Sequence, residues 1–375
     1  MQTRILLLCT DLEVGGVPLL IRNFARGLAA ASPDATPNQS RFTVQVASLA
    51  PEGPVAEQIR KQGIPTHCLG ACCQWDIRVF YRLAQIIQQF RPHVLHSQLV
   101  HANVVGRLMG SLLGVPKVIA TIQTVEKGKR WHNKLENLTC RLSHKTTCVS
   151  PSVYRHAAYN IHIPESRLQV IPNAIDVVRF ADAEPVDLAE FHLNPNKTSL
   201  VFVGRLDPVK NVDVLLRATA QVSQGQDVQL IIVGDGPQRE RLETLTATLN
   251  LTDRVRFAGQ RLDVERILKA ADIFVLPSQW EGMPMAAQEA MAAGLPIIGS
   301  RAEGIIDVIE HNATGLLVTP GSAEQLAHAI SRLIQNPTLA QQLSGAAQQK
   351  ARHLFALESI VQSYSELYTA YQKIM

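Results

Sequence analysis

Residues 272–294 read Asp272-Ile273-Phe274-Val275-Leu276-Pro277-Ser278-Gln279-Trp280-Glu281-Gly282-Met283-Pro284-Met285-Ala286-Ala287-Gln288-Glu289-Ala290-Met291-Ala292-Ala293-Gly294. The stretch changes period midway. Residues 272–277 form a short apolar run of strand type, whereas Ala286 to Ala293 is a run of small helix formers closed by Gly294. A strand-to-helix junction of this kind lies at the carboxyl end of a strand. In an open parallel α/β sheet, ligands bind at that end, where loop amides and helix N-termini converge. Glu281 is expected in the loop and Glu289 inside the helix, so their carboxylates can face one ligand at two separate points.

The same alternation extends outward in both directions. Apolar runs at 4–10, 42–50, 65–71, 93–98, 117–123, 145–150 and 168–174 are expected as strands. Helical patterns lie between them at Pro18 to Ala30, Val55 to Gln62, Val79 to Phe90 and Ala102 to Leu113, and Ala31 to Ser40 reads as a surface loop. A second alternation starts at Leu200-Val201-Phe202-Val203 and continues through 228–233, 255–259, 272–277, 296–299 and 315–318. It ends in helices from Ala323 to Ile334 and from Pro337 onward. Strands alternating with helices specify parallel sheets, and 375 residues exceed one core. The expected fold class is therefore α/β, with two Rossmann-like doubly wound domains facing a central cleft. Residues 1–180 are expected as the first domain, 181–197, rich in Asp, Glu, Pro and Asn, as the linker, and 198–355 as the second.

Composition narrows the function classes. With 46% hydrophobic and 18% charged residues, the chain is an ordinary globular one. A net charge of +4 favours anionic partners but is too small to imply nucleic acid. The six cysteines, Cys9, Cys68, Cys72, Cys73, Cys140 and Cys148, have neither CxxC pairing nor matching histidine spacing, so they read as buried free thiols ahead of a metal or redox site. The start, Met1-Gln2-Thr3-Arg4 followed by Ile5-Leu6-Leu7-Leu8, is too short for a signal segment, and no stretch has the length of a membrane span. The expected location is cytoplasmic.

Four further motifs fall at the ends of expected strands. Gly15 and Gly16, between the first strand and first helix, let backbone approach a ligand or simply form a tight turn. His101 stands just before a helix, where its imidazole either meets a sugar hydroxyl or keeps local partners. Arg205 and Lys210 flank a turn at Pro208 and can converge on one anion, as at a diphosphate; the other reading is two solvated charges. Gly234-Asp235-Gly236-Pro237 is turn chemistry at the next strand end. No Asp-x-Asp pair suggests a metal in these loops. Glu126 to Lys145 groups six cations with Trp131 against two acids. It is either a membrane-surface segment or a solvated helix face.

In this order the segments resemble the retaining glycosyltransferase family 4, which has the GT-B architecture. The resemblance runs over nearly the whole chain. It rests on Val149-Ser150-Pro151-Ser152, Val170-Ile171-Pro172-Asn173-Ala174-Ile175-Asp176 with Phe180, Gly204 to Lys210, Gly234 to Pro237, and above all the glutamate pair. By this resemblance Arg205 and Lys210 bind the donor diphosphate, and Glu289 takes the ribose hydroxyls. Glu281 and His101 stand at the transferred sugar, Gly282 and Met283 offer loop amides, and Gly15 with Gly16 lies beside the diphosphate. The sequence departs from the family pattern at Pro18, where an acid is common, and at Ala302-Glu303-Gly304-Ile305-Ile306. Residues 356–375 are expected to cross back onto the first domain.

The resemblance implies a metal-independent, retaining transfer of sugar from a UDP- or GDP-sugar to a glycan or lipid-linked acceptor, with no separate cofactor. Peripheral membrane contact through 126–145, at the inner membrane surface, is part of that expectation. Two other functions stay open: a nucleotide-sugar epimerase of the same fold, and a silent nucleotide-sugar-binding module.

Overall fold

The computed structural model describes residues 2–30, 42–73, 76–125 and 130–370; the loop expected at 31–40 and residues 126–129 of the basic segment lie outside them. Two compact units result. One comprises the residues up to Ala174 with those from Leu357 onward, and the other is Ile175–Ala356.

In the first unit, β1 (Thr3–Cys9), β2 (Phe42–Ser48), β3 (Thr66–Cys68), β4 (Val94–Gln98), β5 (Lys117–Ile122), β6 (Lys145–Cys148) and β7 (Leu168–Val170) form one sheet in the order β3-β2-β1-β4-β5-β6-β7. Every pairing is parallel. The connecting helices are α1 (Gly16–Ala30), α2 (Pro54–Lys61), α3 (Arg78–Phe90), α4 (Val100–Leu112), α5 (Arg130–Thr139) and α6 (Pro151–Tyr159). Strand alternation divides the core between two faces. Leu6, Leu8, Leu95 and Val118 pack with Val79, Leu83 and Ile87 of α3 and Met109 of α4. The intervening His96 turns to the other face, against Phe24 of α1. The α6 start follows local chemistry: Ser150 Oγ accepts from Val153 N–H at 3.2 Å, and Pro151 opens the helix.

In the second unit, β8 (Thr198–Val203), β9 (Val228–Val233), β10 (Val255–Gly259), β11 (Ile273–Leu276), β12 (Ile297–Ser300) and β13 (Leu316–Val318) form a second parallel sheet, ordered β10-β9-β8-β11-β12-β13. Its helices are α7 (Val177–Ala181), α8 (Val212–Val222), α9 (Arg239–Thr248), α10 (Val264–Ala270), α11 (Met285–Ala293), α12 (Ala323–Gln335) and α13 (Pro337–Leu354). In each sheet the order reverses once, between β1 and β4 and between β8 and β11. The loops leaving those strands open at a switch point, where doubly wound sheets bind ligands.

The expected linker at 181–197 is a correction. Its polar composition hides Val186, Leu188, Phe191 and Leu193, all buried. Val186 N–H bonds to Arg266 O at 3.1 Å, and Arg266 Nε donates to Glu184 O at 3.3 Å. This segment is packed second-unit structure, and the chain passes between units at Ala174–Ile175, ahead of the boundary expected at 180. The helix expected from Pro337 onward is also interrupted: Phe355 ends α13 and its carbonyl accepts from Ile175 N–H at 2.8 Å. A last helix, α14 (Leu357–Thr369), then packs on α1 in the first unit. Tyr368 Oη lies 2.6 Å from His96 Nδ1, and Lys117 Nζ donates to the carbonyls of Leu367 and Tyr368 at 2.7 and 2.9 Å.

The cysteines are free, yet only Cys9, Cys140 and Cys148 are buried. Cys68 is half-buried, and Cys72 and Cys73 are exposed, contrary to the expectation of buried thiols.

Candidate active site

The second unit gathers most of the expected site at its switch point. Adjacent strands β8 and β11 run in parallel, with Leu200 opposite Ile273 and Val201 opposite Phe274, so their exit loops are neighbours. Three hydrogen bonds stitch the loops together. Gln279 N–H donates to Val209 O at 2.8 Å, Gln279 Nε2 to Asn211 Oδ1 at 2.9 Å, and Asn211 Nδ2 to Pro277 O at 3.3 Å.

Between these stitches Lys210 Nζ reaches Glu281 Oε1 at 2.6 Å, and Ser278 Oγ donates to the same oxygen at 2.7 Å. Both charged side chains are largely shielded, at 20% and 13% exposure, so solvent screens the pair less than it would a surface pair. No described side chain donates to Glu281 Oε2. The loop's other flank is held through backbone: Glu281 N–H donates to Glu303 O at 3.0 Å. Gly304, at φ 77°, passes so close that a Cβ there would lie 2.3 Å from Glu281 O. The family departure at Glu303 is thus accommodated, because it contributes its carbonyl to this bond. On β8's other side, Gly234, at φ 127°, lets the β9 loop reach the β8 loop: a Cβ on it would fall 2.0 Å from Gly204 O.

The remaining second-unit residues lie around this pair. Arg205 does not join it: its side chain is 71% exposed and its Nε lies 3.3 Å from Asp207 Oδ2. Gly282 and Met283 are buried in the loop before α11. Glu289 is half-buried in the second turn of α11, and Gly294, at φ 84°, ends that helix.

The first unit holds the other three expected residues at its own switch point, where Cys9 of β1 pairs with Gln98 of β4. Gly15 precedes α1 and Gly16 begins it. Neither has positive φ, and a Cβ at Gly15 would touch only Pro18 Cδ, at 3.7 Å. Neither backbone conformation nor crowding by described atoms therefore demands glycine at 15. His101 is the second residue of α4. Its ring stands edge-on to Trp131 and His132 of α5, with centroids 5.8 and 5.2 Å away. Leu99, just before α4, has φ 75° and ψ 151°, a conformation L side chains rarely adopt. Buried Asn103 holds it: its N–H donates to Leu99 O at 2.8 Å, its Oδ1 accepts from Ser97 Oγ at 2.9 Å, and its Nδ2 donates to Thr121 O at 3.0 Å and Glu136 Oε1 at 2.9 Å.

Sequence reasoning passed over Ser278, Asn211 and Gly304 as parts of this constellation. Gly304 carried a signal, as an isolated glycine after a strand; Ser278 and Asn211 carried none, because their partners lie in other segments.

Two parallel doubly wound sheets, with shielded opposite charges and glycine-dependent loops at a switch point, have the layout of the GT-B fold class, and the comparisons with known proteins supply the activity. The chain's residues 185–350 match the model described as Glycosyl transferases group 1, and residues 14–179 match Glycosyltransferase Family 4. An Escherichia coli protein, UDP-Gal:alpha-D-GlcNAc-diphosphoundecaprenol alpha-1,3-galactosyltransferase, is 30% identical over 297 residues, spanning 76% of this chain and 77% of that protein. The Bacillus anthracis N-acetyl-alpha-D-glucosaminyl L-malate synthase is 27% identical over 78% of this chain and 79% of its own. Among solved structures, Anabaena Alr3699/HepE in complex with UDP-glucose superposes with a TM-score of 0.86 at 22% identity, covering 98% of this chain and all of that one. The chain belongs to glycosyltransferase family 4 and is a glycosyltransferase of GT-B fold.

Proposed function

We propose that this glycosyltransferase is metal-independent and retaining, and moves a sugar from a UDP- or GDP-sugar to a hydroxyl of a glycan or lipid-linked acceptor. The observation that carries the reading is the shielded Lys210–Glu281 pair at the β8–β11 switch point. A cation and a carboxylate fixed side by side suit a ligand that is anionic at its diphosphate and hydroxylated at its sugar. The E. coli relative is named for UDP-Gal and a diphosphoundecaprenol-linked acceptor, and the Anabaena structure contains UDP-glucose; both favour a uridine donor, and the relative's name favours a lipid-linked acceptor.

In this reading Lys210 and Arg205 meet the diphosphate, Glu289 accepts from the ribose hydroxyls, and Glu281 accepts from the sugar. Gly282 and Met283 offer amides, Gly15 and Gly16 leave room for the diphosphate, and His101 lies at the transferred sugar. As the anomeric C–O bond breaks, its electron pair goes to the diphosphate, and preorganised cations are most valuable where that charge develops. The acceptor oxygen bonds to the anomeric carbon on the face the diphosphate leaves. A diphosphate oxygen takes the acceptor's proton, so configuration is retained without an enzyme-bound intermediate.

Peripheral contact with an anionic membrane surface through 126–145 belongs to the same proposal. On α5, Arg130, Trp131, Lys134 and Leu138 are exposed. Glu136, the only acid among residues 130–145, is buried against Arg107, so it places no negative charge on that face. No helix among the described residues is long and apolar enough to cross a membrane.

The test is transfer from a panel of UDP- and GDP-sugars in the presence and absence of EDTA, with NMR of the product's anomeric configuration. Retained configuration and EDTA-insensitive turnover support the proposal; inversion or loss with EDTA contradicts it. Interconversion of the donor sugar without any acceptor would instead favour an epimerase, and nucleotide binding without turnover a silent module.

A further inference from the structure

We infer that Ser278 is a positioning residue that fixes the Glu281 carboxylate for reading the donor sugar, an assignment that rests on the nucleotide-sugar reading above. Ser278 is fully buried and follows Pro277 at the carboxyl end of β11. Its hydroxyl has a single proton to donate, and that proton goes to Glu281 Oε1 at 2.7 Å.

The serine itself is held on three sides. Ser300 Oγ at the end of β12 donates to its carbonyl, the preceding Pro277 carbonyl accepts from Asn211 Nδ2, and the following Gln279 N–H bonds to Val209 O. A short side chain on so fixed a backbone defines a direction. Lys210 is different: its ammonium rides on a flexible four-carbon stem and donates in three directions. It can hold Glu281, but it cannot by itself decide how the carboxylate is turned.

Both donors fall on one oxygen. Rotating the carboxylate would break the two bonds together, so Oε2 keeps one orientation and receives no described donor. A carboxylate only accepts hydrogen bonds, and a sugar hydroxyl can donate one. Oε2 is thus matched to a sugar hydroxyl, and the match holds only while the carboxylate stays within about 0.5 Å of its place. A bound diphosphate competes with Glu281 for the Lys210 ammonium. Ser278 then supplies the bond that keeps the carboxylate aimed.

The consequence separates the sugar from the rest of the donor. Ser278→Ala in the full chain should bind UDP alone as the wild type does, within about twofold, while binding UDP-glucose or UDP-galactose about tenfold more weakly. GDP with GDP-mannose serves as the second probe pair. Transfer should fall about ten- to a hundredfold in kcat/KM. Ser278→Cys, which keeps the shape with a weak S–H donor, should lie between the two, and it is the variant to read if the alanine chain does not fold. The assignment is overturned if the variant binds and transfers sugar within twofold of wild type. It is equally overturned if UDP and the UDP-sugars weaken in parallel, as a general loosening of the loop would produce. If wild type binds nucleoside diphosphates but the same nucleotide sugars no better or worse for their sugar, the role of Glu281 fails with it; if wild type binds no nucleotide at all, the parent reading fails first.

Discussion

Lys210 Nζ lies 2.6 Å from Glu281 Oε1 across 71 positions of sequence, and the loops that carry the two residues are bonded to each other on either side of the contact. Neither residue is placed by its own segment alone. Each takes its position from a strand end, and the strands are neighbours because the sheet order reverses between β8 and β11. The site is in this sense a product of topology, and the pair should behave as a unit.

A double-mutant cycle tests that unity. Lys210→Met is expected to lower kcat/KM by about 10²- to 10³-fold, the scale for removing one preorganised charge donor. Glu281→Gln should also be strongly impaired. The double variant should lose far less than the product of the two losses, because either change removes the other's partner. Steady-state kinetics of the four proteins decides it, and simple multiplicativity would show that the two residues act independently.

Gly304 offers a second test through backbone. Gly304→Ala forces a side chain into φ 77° and into contact with the Glu281 carbonyl. Gly63 has nearly the same φ, 78°, but nothing within 4 Å of an added Cβ. Gly63→Ala therefore isolates the conformational cost, about 1 kcal/mol. Gly304→Ala should lower the melting temperature further and reduce transfer, while Gly63→Ala leaves transfer unchanged. Equal effects of the two changes would mean that the 302–306 loop does not support Glu281.

His96 sets a pH dependence. Burial pushes its imidazole down to about 3, from an ordinary 6.5. Between those values the unfolded chain binds a proton that the folded chain does not, so stability present above pH 6.5 is lost as pH falls toward 3. The slope from this group is about 1.4 kcal/mol per pH unit. Urea unfolding at pH 7, 6 and 5 should show the wild type losing stability more steeply than His96→Gln. Parallel curves would contradict the assignment.

Glu136 is the charge partner of Arg107, a fully buried guanidinium that also bonds to Thr139 and Thr146 at 3.1 Å. Glu136→Ala strands that cation and should cost about 3–5 kcal/mol in chemical unfolding. Breaking the exposed Lys61–Glu57 pair with Glu57→Ala should leave the unfolding midpoint unchanged.

Much of this was legible in one sequence, and the reasons are local. Leu230-Ile231-Ile232-Val233, largely β-branched and closed by Gly234, reads as a buried strand, and the switch from the 272–277 run to the alanine-rich helix marks its own strand end. Every strand expected from an apolar run is present. Other features depend on distant partners. Val186, Leu188, Phe191 and Leu193 are spaced irregularly among acids and a proline, so the segment reads as a linker, although all four side chains are buried and Arg266 bonds its backbone at Glu184 and Val186. Ser278 carries no sequence signal, because its task depends on the orientation of a carboxylate three residues away. The strained Leu99 has no local signature; its conformation is held by Asn103, which is bound to β5 and α5.

The most direct measurement is a thermal-shift titration of the wild type, Lys210→Ala and Glu289→Ala with UDP-, GDP-, ADP- and TDP-sugars, since a ligand that binds only the folded chain raises its melting temperature. The prediction is that a UDP- or GDP-sugar raises the wild-type midpoint and that both substitutions abolish the shift while the free proteins stay folded. No shift of the wild type with any nucleotide sugar, or equal shifts in all three proteins, would contradict it.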